Sequence, residues 1–134
     1  MYTVKQIADH LDVTTETIRY YSRLGIIEPR RDPDNGYRYY SDKDVRIINF
    51  IRKAKHFGLT INEISAIIKK STNGESPCQL VCEMVTNHYI ETREKIKELE
   101  DLESRLAQAL LNWTTADDEK ESESSLICPL IENE

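Results

Sequence analysis

From Cys78 to about Asn112 the chain contains neither glycine nor proline, and Ser76-Pro77 ahead of it places serine at a helix cap and proline at the first helical position. Cys82, Val85, Tyr89, Thr92, Ile96, Leu99, Leu102, Leu106 and Leu110 recur at three- and four-residue steps, with Glu91, Arg93, Glu94, Lys95, Lys97, Glu98, Glu100 and Asp101 between them. The spacing predicts one helix of roughly 35 residues, about 50 Å long at about 1.5 Å per residue. A helix of that length with a narrow apolar stripe cannot bury the stripe against a small domain. It needs a partner helix, and a second copy of the same chain is the simplest one. The fold class expected is therefore dominated by α-helix, with a small domain on one side of a long dimerisation helix.

What precedes that helix is a series of short, well-punctuated elements. Thr3-Val4-Lys5-Gln6 has the form of a capping box and opens a helix whose Val4, Ile7, Ala8 and Leu11 share a face. Asp12-Val13 is a tight connector. Thr14-Thr15-Glu16-Thr17 then leads into a second short helix through Leu24, stopped by Gly25. Two short helices across such a turn make a helix-turn-helix, residues 3–24. Beyond it, Ile26–Arg31 and Tyr37–Tyr40 flank Asp32-Pro33-Asp34-Asn35-Gly36, and Asn-Gly is a strong signal for a short hairpin. This predicts a β-wing over 26–40 carrying Arg30, Arg31 and Arg38 beside Tyr37 and Tyr39.

Supporting helices follow over 41–72. The first starts at the cap Ser41-Asp42-Lys43-Asp44, turns Val45, Ile48, Phe50, Ile51 and Ala54 inward, and ends at Gly58. The second opens with the capping box Thr60-Ile61-Asn62-Glu63, has Ile61, Ile64, Ile67 and Ile68 inward, and ends at Asn73-Gly74. Residues 1–74 thus read as one winged helix-turn-helix domain, 76–112 as the dimerisation helix, and 113–134 as an effector loop and tail. Thr114–Ser125 is polar and acidic, a solvated loop, and Leu126–Ile131 is a short apolar segment expected to dock.

Threonines and arginines on a helix, followed by a basic aromatic hairpin, are equipment for gripping a duplex. Arginine meets phosphates or guanine edges, and hydroxyls and tyrosines bond to phosphates. The candidate DNA-binding residues are Thr14, Thr15, Thr17, Arg19 and Tyr20 from the second helix, with Arg31, Tyr37, Arg38 and Tyr39 from the wing. The net charge of −6 argues against nucleic acid only when taken whole. Residues 1–58 balance at +3 and residues 59–134 at −9, so the acidity lies away from this face. No paired acid and base, nucleophile elbow or phosphate loop points to an enzyme. No apolar run is long enough for a bilayer and no signal-peptide core opens the chain, which predicts a cytoplasmic protein without membrane contact.

Ile7-Ala8, Thr17-Ile18-Arg19-Tyr20-Tyr21, Gly25-Ile26-Ile27, Gly36-Tyr37-Arg38-Tyr39-Tyr40 and Phe57-Gly58-Leu59-Thr60-Ile61-Asn62-Glu63-Ile64 stand in an order that resembles the MerR family of bacterial transcription regulators, over residues 2 to about 111. The resemblance implies an antiparallel pair of long helices in a homodimer. It implies a palindromic double-stranded promoter, and activation by bending and untwisting DNA so that RNA polymerase is helped indirectly, through the promoter. A short C-terminal metal-binding loop is implied as well.

The three cysteines, Cys78, Cys82 and Cys128, are too sparse for a disulfide framework in a reducing compartment. Cys78 and Cys82 are four residues apart and share a helix face. Cys128 lies beyond the far end of the long helix, and an antiparallel partner would bring it to the other subunit's Cys78 and Cys82. Thiolates favour thiophilic ions such as Zn, Cd, Hg or Pb. By resemblance, Cys78 and Cys128-Pro129 match positions of metal-sensing relatives of the divalent branch. The helix-end position instead holds Trp113, which cannot ligate metal. Cys82 would then be the third thiolate, with Asp117, Asp118, Glu119 or His88 as possible further ligands; the plainer alternative is that Cys82 fills the dimer seam. His10 and His56 read as ordinary surface or packing residues. A redox or thiol-electrophile sensor on the same scaffold, using Cys82 or Cys78, is the rival function.

Overall fold

The computed structural model describes residues 1–115 and 126–134. The described residues form six helices and one two-stranded sheet: α1 (Val4–Leu11), α2 (Thr15–Arg23), β1 (Arg30–Arg31), β2 (Arg38–Tyr39), α3 (Asp42–His56), α4 (Ile61–Thr72), α5 (Cys78–Thr115) and α6 (Pro129–Glu132). The chain divides into two compact units, Met1–His88 and Tyr89–Glu134.

Local hydrogen bonds set the helix starts of the first unit. Thr3 and Gln6 exchange bonds at 3.2 and 2.9 Å, and Thr60 and Glu63 do the same at the start of α4. At the start of α3, Ser41 and Asp44 form the third such box. Between α1 and α2 the chain reverses at Asp12, which has φ 54°, and its N–H bonds to Ala8 O. Aspartate tolerates this left-handed backbone far better than a branched residue would. The core joins Ile7, Ile18, Tyr21, Ile27, Tyr40, Ile48, Ile51, Leu59, Ile64 and Ile67, all buried.

Two contacts fix the wing against the helices. Tyr2 and Tyr40 pair through reciprocal backbone bonds of 2.9 and 2.8 Å, and the buried Tyr40 hydroxyl lies 3.1 Å from Ser22 Oγ on α2. Asp44 is itself buried, a polar group sequence spacing had not placed inside. Its carboxylate accepts from Ser41 N–H, Ser41 Oγ–H and Glu28 N–H, so the capping residue of α3 also holds the base of the wing.

The structure corrects several expectations. The wing strands are two residues each, paired Arg30 with Tyr39 and Arg31 with Arg38, not the longer strands expected over 26–40. Asn35-Gly36 does not form the short hairpin turn, because only Gly36 takes a positive φ, 72°. Instead Asp32 N–H bonds to Tyr37 O and Gly36 N–H to Asp32 O, with the Asp32 and Asn35 side chains accepting from Asp34 N–H and Tyr37 N–H. Side chains that cap their own loop outcompeted the two-residue turn. Phe50, expected inward on α3, is exposed, since Ile48, Ile51 and Ala54 already define the buried face.

The start of α5 belongs to the first unit. Leu80, Val81, Met84 and Val85 pack on its core, leaving Cys78 and Cys82 exposed. The stripe expected to begin at Cys82 is therefore rotated at this end of the helix. Glu63 Oε1 lies 2.7 Å from His88 Nε2 and ties α4 to α5.

In the second unit α5 continues through Thr115, three residues past the expected end, and so includes Trp113. Leu99, Leu102, Leu106, Leu110 and Leu111 are exposed along it. The tail forms α6, an element its apolar composition had not announced. Its Leu126 and Ile127 are 90% and 85% exposed, so the start of the segment expected to dock is not covered by the chain itself, while Cys128 and Pro129 are half-buried.

Candidate DNA interface and candidate thiol site

The second helix is built to show one face. Ile18 and Tyr21 are buried, which turns Arg19, Tyr20 and Arg23 outward. Thr14 Oγ1 accepts from Thr17 N–H at 3.1 Å and lies 2.7 Å from Thr17 Oγ1. These two hydroxyls therefore hold the helix start; Thr14 is exposed, while Thr15 and Thr17 are half-buried.

The wing sorts its residues by strand pairing. Residues directly opposite on a two-stranded ribbon share a face, so Arg31 and Arg38 lie on one side, Arg30 and Tyr39 on the other. On the first side, a cleft of about 250 Å³ is lined by Thr3, Val4, Arg19, Gly36, Tyr37, Arg38 and Tyr40. Helix and wing cations thus converge: Arg19 from α2 and Arg38 with Tyr37 from the wing border one cleft. Tyr39 does not join them. It is half-buried and borders a separate cleft with Arg30, Glu28, Ser41 and Lys43. Arg23, which the sequence reading passed over, stands 5.9 Å from the centre of the Tyr20 ring in a cation–π contact. Its spacing, four residues after Arg19 and three after Tyr20, was the available signal.

The thiols are all free. Cys78 and Cys82 are exposed on the first turns of α5; Cys128 is half-buried at the cap position of α6, where its side chain makes no capping bond. Three soft sulfur donors fit a thiophilic ion better than a hard one. Among the described residues of one chain, no three His, Cys, Asp or Glu side chains gather closely enough to hold such an ion. Asp117, Asp118 and Glu119 lie outside the described residues. His88 Nε2 is engaged by Glu63, and both side chains are 26% exposed. The Thr60 backbone N–H, with the His88 contact adding to it, holds the Glu63 carboxyl below its ordinary value of 4.5. Of the surface and packing roles left open for His10 and His56, the structure gives both the surface one. Trp113 donates its indole N–H to Glu134 Oε2 at 3.2 Å.

Two short helices reversing at Asp12, a wing locked to them through Tyr40, and cations of both around one cleft define a winged helix-turn-helix DNA-binding regulator. The chain belongs to the MerR family: the family description "MerR HTH family regulatory protein" matches residues 2–71, and "MerR, DNA binding" matches residues 45–109. It is a transcription regulator and not an enzyme. The mercuric resistance operon regulatory protein of Bacillus cereus is 31% identical over 105 residues, 78% of this chain and 80% of the relative. The crystal structure of the dual-function transcriptional regulator MerR of Bacillus megaterium MB1 in complex with mercury(II) is 29% identical, covering 94% of this chain and 93% of that one, with a TM-score of 0.59. The transcription regulator PbrR691 of Ralstonia metallidurans CH34, solved in complex with lead(II), shares the fold with a TM-score of 0.75 at 22% identity, over 99% of this chain and 98% of its own. No helix among the described residues is long and apolar enough to cross a membrane.

Proposed function

We propose that this chain is a homodimeric, metal-responsive regulator that binds a palindromic promoter and activates it by distorting the DNA when a thiophilic divalent ion binds. The observation that carries this reading is the set of three free cysteines, two exposed where α5 begins and one at the α6 cap. Residues 1–74 would grip DNA, 76–112 would pair antiparallel with the same helix of a second copy, and 113–134 would complete the effector site. The exposed leucines of α5 support the pairing, since a row from Leu99 to Leu110 facing water is unfavourable until covered.

In this dimer Cys78 and Cys82 of one subunit and Cys128 of the other would hold the ion as thiolates, which drop their protons on binding. The bound ion would supply a cross-link between subunits. A likeness to regulators solved with mercury(II) and lead(II) supports a soft ion of the Zn, Cd, Hg or Pb kind. Each winged domain would set Arg19, Tyr20 and the hydroxyls of Thr14, Thr15 and Thr17 against one half-site, with Arg31, Tyr37 and Arg38 on the flanking backbone. Tyr39, expected from the sequence to touch DNA, would instead lie on the wing's other face, away from this contact. Bending the promoter costs of order 1–6 kcal/mol, and ligand binding can offset this only through its preference for one dimer state. RNA polymerase would gain access through the reshaped promoter.

The test is a titration of the reduced protein with each ion, following thiolate-to-metal absorption, for the wild type and for Cys78→Ser, Cys82→Ser and Cys128→Ser. Tight binding lost in the Cys78 and Cys128 variants is the expected result, and the Cys82 variant decides whether that thiol replaces the donor missing at Trp113. Failure of the wild type to bind would end the metal reading and turn attention to Cys78 and Cys82 as an exposed redox or electrophile-reactive pair.

A further inference from the structure

The tail around Cys128 is tied together by its own acidic residues. The Glu132 carboxylate takes two backbone donors at once: Leu126 N–H bonds to Oε1 at 3.0 Å and Ile127 N–H to Oε2 at 3.2 Å. With Glu132 N–H bonded back to Cys128 O at 3.0 Å, residues 126–132 close into a turn that has Cys128 within it. Two residues on, Glu134 accepts the Trp113 indole N–H at 3.2 Å and anchors the turn to the last turns of α5. The flanking Leu126 and Ile127 are almost fully exposed, so that end of the turn is held by these bonds and not by apolar packing, while Cys128 and Pro129 are half-buried.

We infer that Glu132, Trp113 and Glu134 are positioning residues for Cys128, a latch that presents its thiol before any ion arrives. The inference rests on the proposed role of Cys128 as a ligand. Both Glu132 oxygens are already engaged by backbone donors, which suits orienting the loop and not ligating. Trp113 stands where a donor atom is missing by resemblance; here it contributes through its N–H, by fixing the segment that carries the remaining thiol. Holding a ligand loop in its bound shape removes ordering entropy from the binding step, and supports outside the first ring of ligands commonly tune metal affinity in this way.

The experiment uses the full-length reduced protein and cadmium(II) alone as the probe. Glu132→Gln keeps the side-chain shape but leaves one acceptor oxygen for two backbone donors; Trp113→Phe keeps a ring and removes the N–H. Each variant is expected to bind cadmium about tenfold more weakly, the equivalent of one net hydrogen bond. Absorption per bound cadmium should fall toward the level of Cys128→Ser, a change that general destabilisation does not produce. A metal-free readout stands beside it. Trp113 is the only tryptophan, and Glu134→Ala should increase iodide quenching of its emission while the far-ultraviolet circular dichroism stays unchanged. Variants with wild-type cadmium affinity and absorption, or quenching unmoved by Glu134→Ala, would overturn the latch alone. A wild type with no thiolate-to-cadmium absorption would overturn the metal reading and the latch with it.

Discussion

The Glu63–His88 contact gives a sharp test of how α4 is joined to α5. Glu63 accepts from the Thr60 N–H at 2.9 Å and meets His88 Nε2 at 2.7 Å with the same oxygen. A hydrogen bond to a charged group contributes about 1.5–3 kcal/mol, and with a quarter of each side chain exposed, solvent screening brings this nearer to about 1–2 kcal/mol. Glu63→Gln keeps an oxygen for the Thr60 cap but removes the charge that the Thr60 N–H and His88 both stabilise, so the His88 share has to be isolated by a cycle. A double-mutant cycle with His88→Ala, by urea unfolding at fixed protomer concentration, should return a coupling of about 1–2 kcal/mol near neutral pH. The pH dependence has a fixed sign. The folded carboxyl lies below its ordinary 4.5, so the folded state binds fewer protons than the unfolded state in that window. Its contribution is complete above 4.5, declines as pH falls through the lower folded value, and is absent in stronger acid. The stability gap between wild type and Glu63→Gln should close in the same direction. A coupling below about 0.3 kcal/mol, within the usual error of additivity, or a gap that widens in acid would refute the account.

Two further outcomes follow from the surfaces. Arg38→Ala should weaken DNA binding for all sequences and lower the slope of log affinity against log salt by about one, while Tyr39→Phe, on the other wing face, should change neither; gel-shift titrations at several salt concentrations decide this. Leu99→Glu with Leu106→Glu should yield monomers in analytical ultracentrifugation without loss of helix in the first unit; a dimer that survives both charges would argue against pairing along this stripe.

The features read correctly from the chain are those whose causes lie within a few residues. The boxes at Thr3–Gln6, Ser41–Asp44 and Thr60–Glu63 are bonds between positions three apart, and spacing alone announces them. The same holds for the proline-started, uninterrupted α5 and for the inward Ile64 and Ile67 of α4. The wing loop was decided by a local contest, and the rest of what went astray or unseen depends on partners far along the chain. Asn35-Gly36 carries the right residues for a tight hairpin, but side-chain acceptors at Asp32 and Asn35 stabilise a wider loop. Cys82 fits a periodic stripe, yet the first unit's core rotates the buried face of α5 to Leu80, Val81, Met84 and Val85 and leaves the thiol outside. Tyr39 and Arg38 are neighbours in sequence and opposite in space, because pairing with Arg30 and Arg31 assigns them different faces. Sequence by itself thus determined the helices, their caps and the supply of cations and thiols. Tertiary structure decided which of these groups share a surface, since that depends on the competition for one buried core and on bonds such as Glu63 to His88 and Trp113 to Glu134, spanning separations that no local pattern encodes.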